Sequence, residues 1–251
     1  MSTDPISESA KATQEIAKAT SKGLEVADNL GGWLDRMFGE GIEHSVKSIW
    51  TNKVRERSIA GAIHSWERLE LLVHKTEERL RRKGVKHFRF VPPKLGLPLL
   101  QNATMEDDDD LHSLWSALLA AAMDPAADEV HRKYVSILAD LTGPDAAVLR
   151  KVWTDWQTVE KKETFGSKTV RYGPGVQGTD GHAETSVITL NRLGLIAPNY
   201  TEIRTYYPTG YDNRHVEFAE GDSAQVYGDL LIVVVTPLGE AFCRAVMTDD
   251  R

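Results

Sequence analysis

Apolar residues recur along most of this chain at alternating steps of three and four, the spacing of one helix face. The first run passes through Ile16, Ala19, Gly23, Val26, Leu30, Trp33 and Met37. Gly31 and Gly32 interrupt it at about 1 kcal/mol each in helix propensity, which predicts two helices or one loosely held helix. A longer helix is predicted from Lys53 to Lys83, carried by Ile59, Ile63, Trp66, Val73 and Leu80. Arg79, Arg81, Arg82 and Lys83 crowd its last turn, where cations suit the negative end of the helix dipole, and Gly84 supplies the stop. Pro92, Pro93 and Pro98 predict an extended connector over Val91 to Leu99, laid against the core by its apolar residues.

The acidic run Glu106 to Asp110 stands directly before Leu111, Leu114, Trp115, Leu118 and Leu119, as carboxylates do in a first helical turn. Asp124 and Pro125 repeat a start signal, as N-cap and first helical residue, for a face of Val130, Tyr134, Ile137, Leu138 and Leu141. Gly143 and Pro144 then open a helix with Leu149, Val152, Trp153, Trp156 and Val159 on one side. The pattern changes from Thr164 to Gly181, where glycines predict a loop with a short strand at Thr169 to Tyr172. Ser186 to Ile196, SVITLNRLGLI, predicts an amphipathic helix turned at Gly194. Strand-like segments follow at Glu202 to Tyr207, Arg214 to Phe218 and Gln225 to Val235, and ThrPro at Thr236 opens a last helix burying Leu238, Phe242 and Val246.

The fold class expected is mainly α with a smaller α+β part. Residues 1–15 form a disordered tail, 16–163 a multi-helix domain, 164–181 a Gly-rich loop and 182–251 a winged-helix-like module with a long β-hairpin. Length and composition agree with two domains, the 251 residues being 41% hydrophobic. The net charge of -7 supplies no global field for a polyanion, so any nucleic-acid contact must come from a local patch. The single cysteine, Cys243, excludes an intrachain disulfide and a cysteine-cluster zinc site. With no secretory signal and no stretch of roughly 18 apolar residues, the expectation is a soluble cytoplasmic protein.

Chemistry-bearing patterns are sparse. Gly173, Gly175 and Gly178 satisfy GxGxxG, but no βαβ unit surrounds them and Pro174 lies inside. Consecutive carboxylates at Asp107 to Asp110 point in different directions on a starting helix, which suits capping better than a metal. The eight histidines show no HxH or HExxH spacing, and Cys243 beside Phe242 reads as a small core residue. No catalytic residue, cofactor or metal is assigned. A macromolecule contact has more to support it. The outer side of the SVITLNRLGLI helix is expected to carry Thr185, Ser186, Thr189, Asn191 and Arg192, with Arg204 and Arg214 reaching from the hairpin. The contact candidates are Thr189, Asn191, Arg192, Arg204 and Arg214. One arginine on that helix is meagre for phosphate neutralisation, and Glu184, Glu202, Glu217 and Glu220 oppose it. The 16–38 face, with Trp33, Met37 and Phe38, offers a second contact: peripheral membrane, the long helix or another protomer.

The order of these elements resembles the Abi-alpha family, prokaryotic proteins associated by name and gene context with abortive infection, a form of phage defence. The resemblance rests on Lys22 to Val26, ValProProLys at Val91, the acidic run before TrpSerAlaLeuLeuAla at Trp115, AspPro at Asp124, the block Tyr134 to Leu149, and the LeuGlyLeuIle and ThrProLeuGlyGluAlaPhe elements. It implies a biological setting and transfers no catalytic motif. Two functions are expected on these grounds. The first is a non-enzymatic defence protein that binds an unknown protein partner or itself; the alternative is a winged-helix DNA-binding regulator.

Overall fold

The computed structural model describes residues 32–39, 59–158, 169–172, 183–198 and 231–247. They group into two compact units, one reaching to Asp140 and one running from Leu141 to Met247. The architecture is mainly helical with a small antiparallel sheet. Among the described residues no helix is long and apolar enough to cross a membrane.

In the first unit, α1 spans 32–38 and α2 Ile59–Arg82, followed by α3 (Pro93–Ala103), α4 (Asp109–Met123) and α5 (Arg132–Ala139). The predicted stop of α2 is present in full: Gly84 takes φ +69, its amide donates to the Arg81 carbonyl and the Val85 amide to the Leu80 carbonyl. That pair of bonds satisfies two carbonyls the helix end would leave open. The predicted start of α4 is present too, with the Asp108 carboxylate accepting from the Asp110 and Leu111 amides at 2.9 Å each. Beyond this cap α4 is buried on all sides, from Leu111 to Met123 with Ser113 alone half-exposed. It is the axis of the unit, as a helix apolar all round must be.

Two expectations are corrected here. Val91 to Leu99 is not extended; Pro93 opens α3, which buries Leu95, Leu99, Leu100 and Ala103. Paired prolines serve a helix start as well as an extended chain, because a proline at the first helical position gives up an amide that has no partner anyway. Pro98 lies inside the helix, and Asn102 donates its side-chain amide to the Pro98 carbonyl at 2.8 Å. Asp124 and Pro125, in turn, start no helix. The Asp124 carboxylate accepts from the Ala126 amide, and the Arg89 guanidinium takes the Pro125 and Ala127 carbonyls at 3.0 and 2.6 Å. Those carbonyls are the ones a helix beginning at Pro125 would use, so α5 waits until Arg132.

The N-terminal segment is described only for 32–39. Trp33, Met37 and Phe38 are buried there, and Gly96 of α3 is where Phe38 and Met37 come close. The Val91 amide donates to the Met37 carbonyl at 2.7 Å. The predicted helix face from Ile16 to Leu30 and residues 53–58 lie outside the described residues, as does the 1–15 tail.

The second unit holds α6 (Gly143–Thr158), β1 (Thr169–Tyr172), α7 (Ala183–Arg192), β2 (Ile196–Pro198), β3 (Leu231–Val235) and α8 (Pro237–Met247). Thr142 and Asp145 open α6 with a reciprocal cap: Asp145 accepts from the Thr142 amide and hydroxyl, and its own amide faces the Thr142 hydroxyl. Leu149, Val152 and Trp153 form the buried face of α6, and Trp153 stacks on Trp156 with centroids 4.9 Å apart. The short strand predicted at Thr169 to Tyr172 is present. It lies on one edge of β3 and β2 on the other, giving the order β1-β3-β2 with every pair antiparallel. The remaining strand-like segments, between 199 and 230, lie outside the described residues, as does most of the Gly-rich stretch, including Gly173, Gly175 and Gly178.

Candidate functional site

The two LeuGly elements, Leu193–Gly194 and Leu238–Gly239, lie 45 positions apart and meet in the second unit. Gly194 adopts φ +74 and ends α7; its amide donates to the Asn191 carbonyl and that of Leu195 to the Leu190 carbonyl. Thr236 then docks on this turn. Its amide donates to the Leu195 carbonyl at 3.1 Å and its hydroxyl to the Gly194 carbonyl at 2.6 Å. The same hydroxyl oxygen accepts from the Gly239 amide at 2.9 Å, so Thr236 caps α8 while holding the end of α7. The contact is close enough that a Cβ on Gly239 would sit 1.9 Å from the Leu195 carbonyl oxygen. These bonds fix the orientation of α7 against α8.

Held in this way, α7 buries Ser186, Val187 and Leu190 and turns Thr185, Ile188, Asn191 and Arg192 outward. Ser186, expected on the outer face, is a correction: it is 2% exposed, because the buried stripe is one residue wider than the leucine spacing suggests. Thr189 is half-buried at the margin. Ile188 was missing from the expected face and is its most conspicuous member, a large apolar side chain 63% exposed. Its position three residues after Thr185 and four before Arg192 was legible in the helical period. Of the predicted contact residues, Asn191 and Arg192 are thus brought together with Ile188, Thr189 borders them, and Arg204 and Arg214 lie outside the described residues.

A second concentration of polar groups runs along α2 and α4. Arg68 donates to the Asp109 carboxylate at 2.7 Å and to the Asp108 carbonyl at 3.4 Å. His64 faces Asp107 at 2.8 Å. Deeper in, Thr76 donates to the Leu72 carbonyl, and Arg79 reaches Ser116 Oγ at 3.2 Å and Ser113 Oγ at 2.8 Å. Arg79 is therefore no part of the exposed cationic helix end where the sequence put it. His112 is fully buried, with Nε2 3.0 Å from the Arg68 carbonyl. A carbonyl only accepts, so Nε2 carries the proton and Nδ1 is a bare acceptor with no partner among the described residues. Burial, with the Arg68 and Lys75 cations nearby, lowers the His112 pKa to about 4. The ring is neutral at physiological pH. The hydrogen bond from Arg68 holds the Asp109 carboxyl below its usual range, and burial lowers the Lys75 ammonium.

Reactive groups are not assembled into a site among the described residues. The acidic run serves the α4 cap, Arg68 and His64, and no group of three His, Cys, Asp or Glu side chains is placed to hold a metal ion. Cys243 is completely buried in α8, and desolvation pushes its thiol far above its ordinary range. A shallow cleft of about 280 Å³ between α3 and α5 is lined by Pro98, Asn102, Arg132 and Asp140 among others.

Fold and polar groups together define a helical protein whose buried polar side chains cap and join its helices, with an antiparallel sheet near its end. The chain belongs to the abortive infection alpha family, whose model matches residues 67–246. The match begins inside α2 and ends in α8, so it takes in the α2–α4 seam from Arg68 onward, the α7 face and the meeting of the two LeuGly elements. That membership associates the chain with abortive infection, a form of phage defence. No curated protein and no solved structure matches it.

Proposed function

We propose that this protein acts in abortive infection by binding a macromolecular partner and not by catalysis, with the outer face of α7 as the contact. The observation carrying this reading is Ile188, 63% exposed between Thr185, Asn191 and Arg192, on a helix locked in place by the Thr236 bonds. An apolar side chain bordered by polar ones on a rigid element has the layout, in small, of an apolar interface centre with a polar rim. The partner is a protein or a second copy of the chain.

A second reading, a winged-helix DNA-binding regulator, draws support from the antiparallel pair β2 and β3 following α7 and from the order β1-β3-β2. Against it, α7 contributes a single cation in its last turn, Arg192, and phosphate neutralisation usually needs several. Phage challenge of cells carrying Ile188→Asp tests the first reading. Protection is expected to be lost while the purified variant keeps its melting temperature; intact protection overturns the role of α7. Salt-dependent duplex-DNA binding that disappears in Arg192→Ala would instead favour the regulator.

A further inference from the structure

From Arg81 to Phe90 the chain reads RRKGVKHFRF, at the end of α2 and in the loop after it. The structure separates the cations here into two sets. Arg89 turns inward, its guanidinium on the Pro125 and Ala127 carbonyls, as Arg79 does within the last turn of α2 on Ser113 and Ser116. Arg81, Arg82, Lys83 and Lys86 stay exposed. Arg82 lies 3.4 Å from Glu78, while Arg81 and Lys86 have no ion-pair partner among the described residues. Helix capping accounts for charge in the last turn of α2, but Lys86 stands beyond the Gly84 reversal and caps nothing.

Beside this charge stands an aromatic ring that the backbone holds outward. The Arg89 amide donates to the Met123 carbonyl and the Val91 amide to the Met37 carbonyl, both at 2.7 Å. Val91 is buried at 1%, whereas Phe90 between these two anchors is 64% exposed. Phe88, by contrast, is half-buried, with the Arg36 guanidinium 5.7 Å from its ring centre. Six extended residues reach at most about 22 Å, so Gly84 and Phe90 both fall within a few nucleotides of one strand.

We propose that this end of the first unit binds single-stranded nucleic acid, with Arg81 and Lys86 on the phosphates and the Phe90 ring stacked on a base. Cations along a backbone path that leads to an exposed ring form the general single-strand recognition mode, tolerant of sequence because every base has a π-face. A duplex offers no free base face to such a ring. A membrane surface is less well matched, since anchoring needs an apolar helix face and this loop presents one exposed ring. The net charge of -7 does not forbid the contact. Screening acts over about 8 Å at physiological salt, so distant carboxylates are damped while phosphates touching the patch are not.

Fluorescence anisotropy of the full chain with labelled single strands of about twelve nucleotides, one RNA and one DNA, tests this. Binding is expected at about 50 mM salt and should weaken as salt rises, with a log–log slope of about -1.4, the value for two phosphates on a single strand. Arg81→Ala with Lys86→Ala should remove more than half of that slope, and Phe90→Ala should weaken binding about tenfold or more. All three positions are exposed, so unchanged melting temperatures certify the fold. A preference for RNA over DNA identifies a 2′-hydroxyl contact, and equal binding means that backbone and stacking suffice; both support the proposal. It is overturned by absence of binding at low salt, by tighter binding of the matching duplex, by anionic vesicles binding where the oligonucleotides do not, or by loss of binding in Arg192→Ala, which would move the contact to α7.

Discussion

Two glycines show how much the neighbour decides. A Cβ on Gly239 would lie 1.9 Å from the Leu195 carbonyl oxygen and 2.8 Å from its carbon, both backbone atoms held by the Thr236 bonds. Backbone cannot step aside, so Gly239→Ala should cost about 3 kcal/mol or more, in the range of severe overpacking. A Cβ on Gly96 would also be too close, 2.6 Å from Phe38 and 2.7 Å from the Met37 methyl. Here the obstructing atoms are side-chain ends, one of them on a flexible methionine, and alanine gains about 1 kcal/mol of helix propensity over glycine. The Phe38 ring is buried and must also shift, so Gly96→Ala should cost about 1 to 2 kcal/mol, less than Gly239→Ala. Denaturant melts of both variants check the contrast, and equal losses would mean that the α7–α8 junction is softer than its bonds imply.

Helix ends separate what the sequence reveals from what it conceals. Gly84, Gly194 and the Asp108 cap were legible because their bonds close within a few residues of themselves. Pro92 and Pro93 were ambiguous, since one signal serves two conformations, and the burial of Leu95 and Leu99 decides between them. The failed start at Asp124 depends on Arg89, 36 residues before Pro125, which no local rule contains. The candidate site divides in the same way: Asn191 and Arg192 follow from helical period, while the burial of Ser186 depends on the packing of α7. The Thr142–Asp145 cap is equally local, its partners three residues apart. Asp145 is 4% exposed and accepts two bonds from Thr142, so Asp145→Ala should cost about 1 to 2 kcal/mol, with Asp145→Glu retaining part of the cap. Thermal melts of the pair measure it.

At the scale of the molecule, two units with separate cores need not respond alike to acid, and His112 predicts which yields first. The groups acting on its ring come from both helices of the seam: Arg68 and Lys75 on α2 oppose its protonation, and Asp109 on α4 favours it. Because its folded pKa of about 4 lies below the ordinary 6.5, the unfolded chain takes up the proton first. Above pH 6.5 the group leaves stability unchanged; between 6.5 and about 4 it removes stability steadily. At about 1.4 kcal/mol per pH unit the window amounts to about 3 kcal/mol. Asp109, whose pKa is lowered from 3.8, gives up its contribution only at more acid pH, so the two effects fall in separate ranges. Hydrogen exchange followed segment by segment should show α2 and α4 opening progressively from pH 6.5 to 4 while α8 keeps its protection. His112→Gln, which retains a donor for the Arg68 carbonyl but cannot titrate, should flatten that dependence; an unchanged slope in the variant would place the acid sensitivity elsewhere.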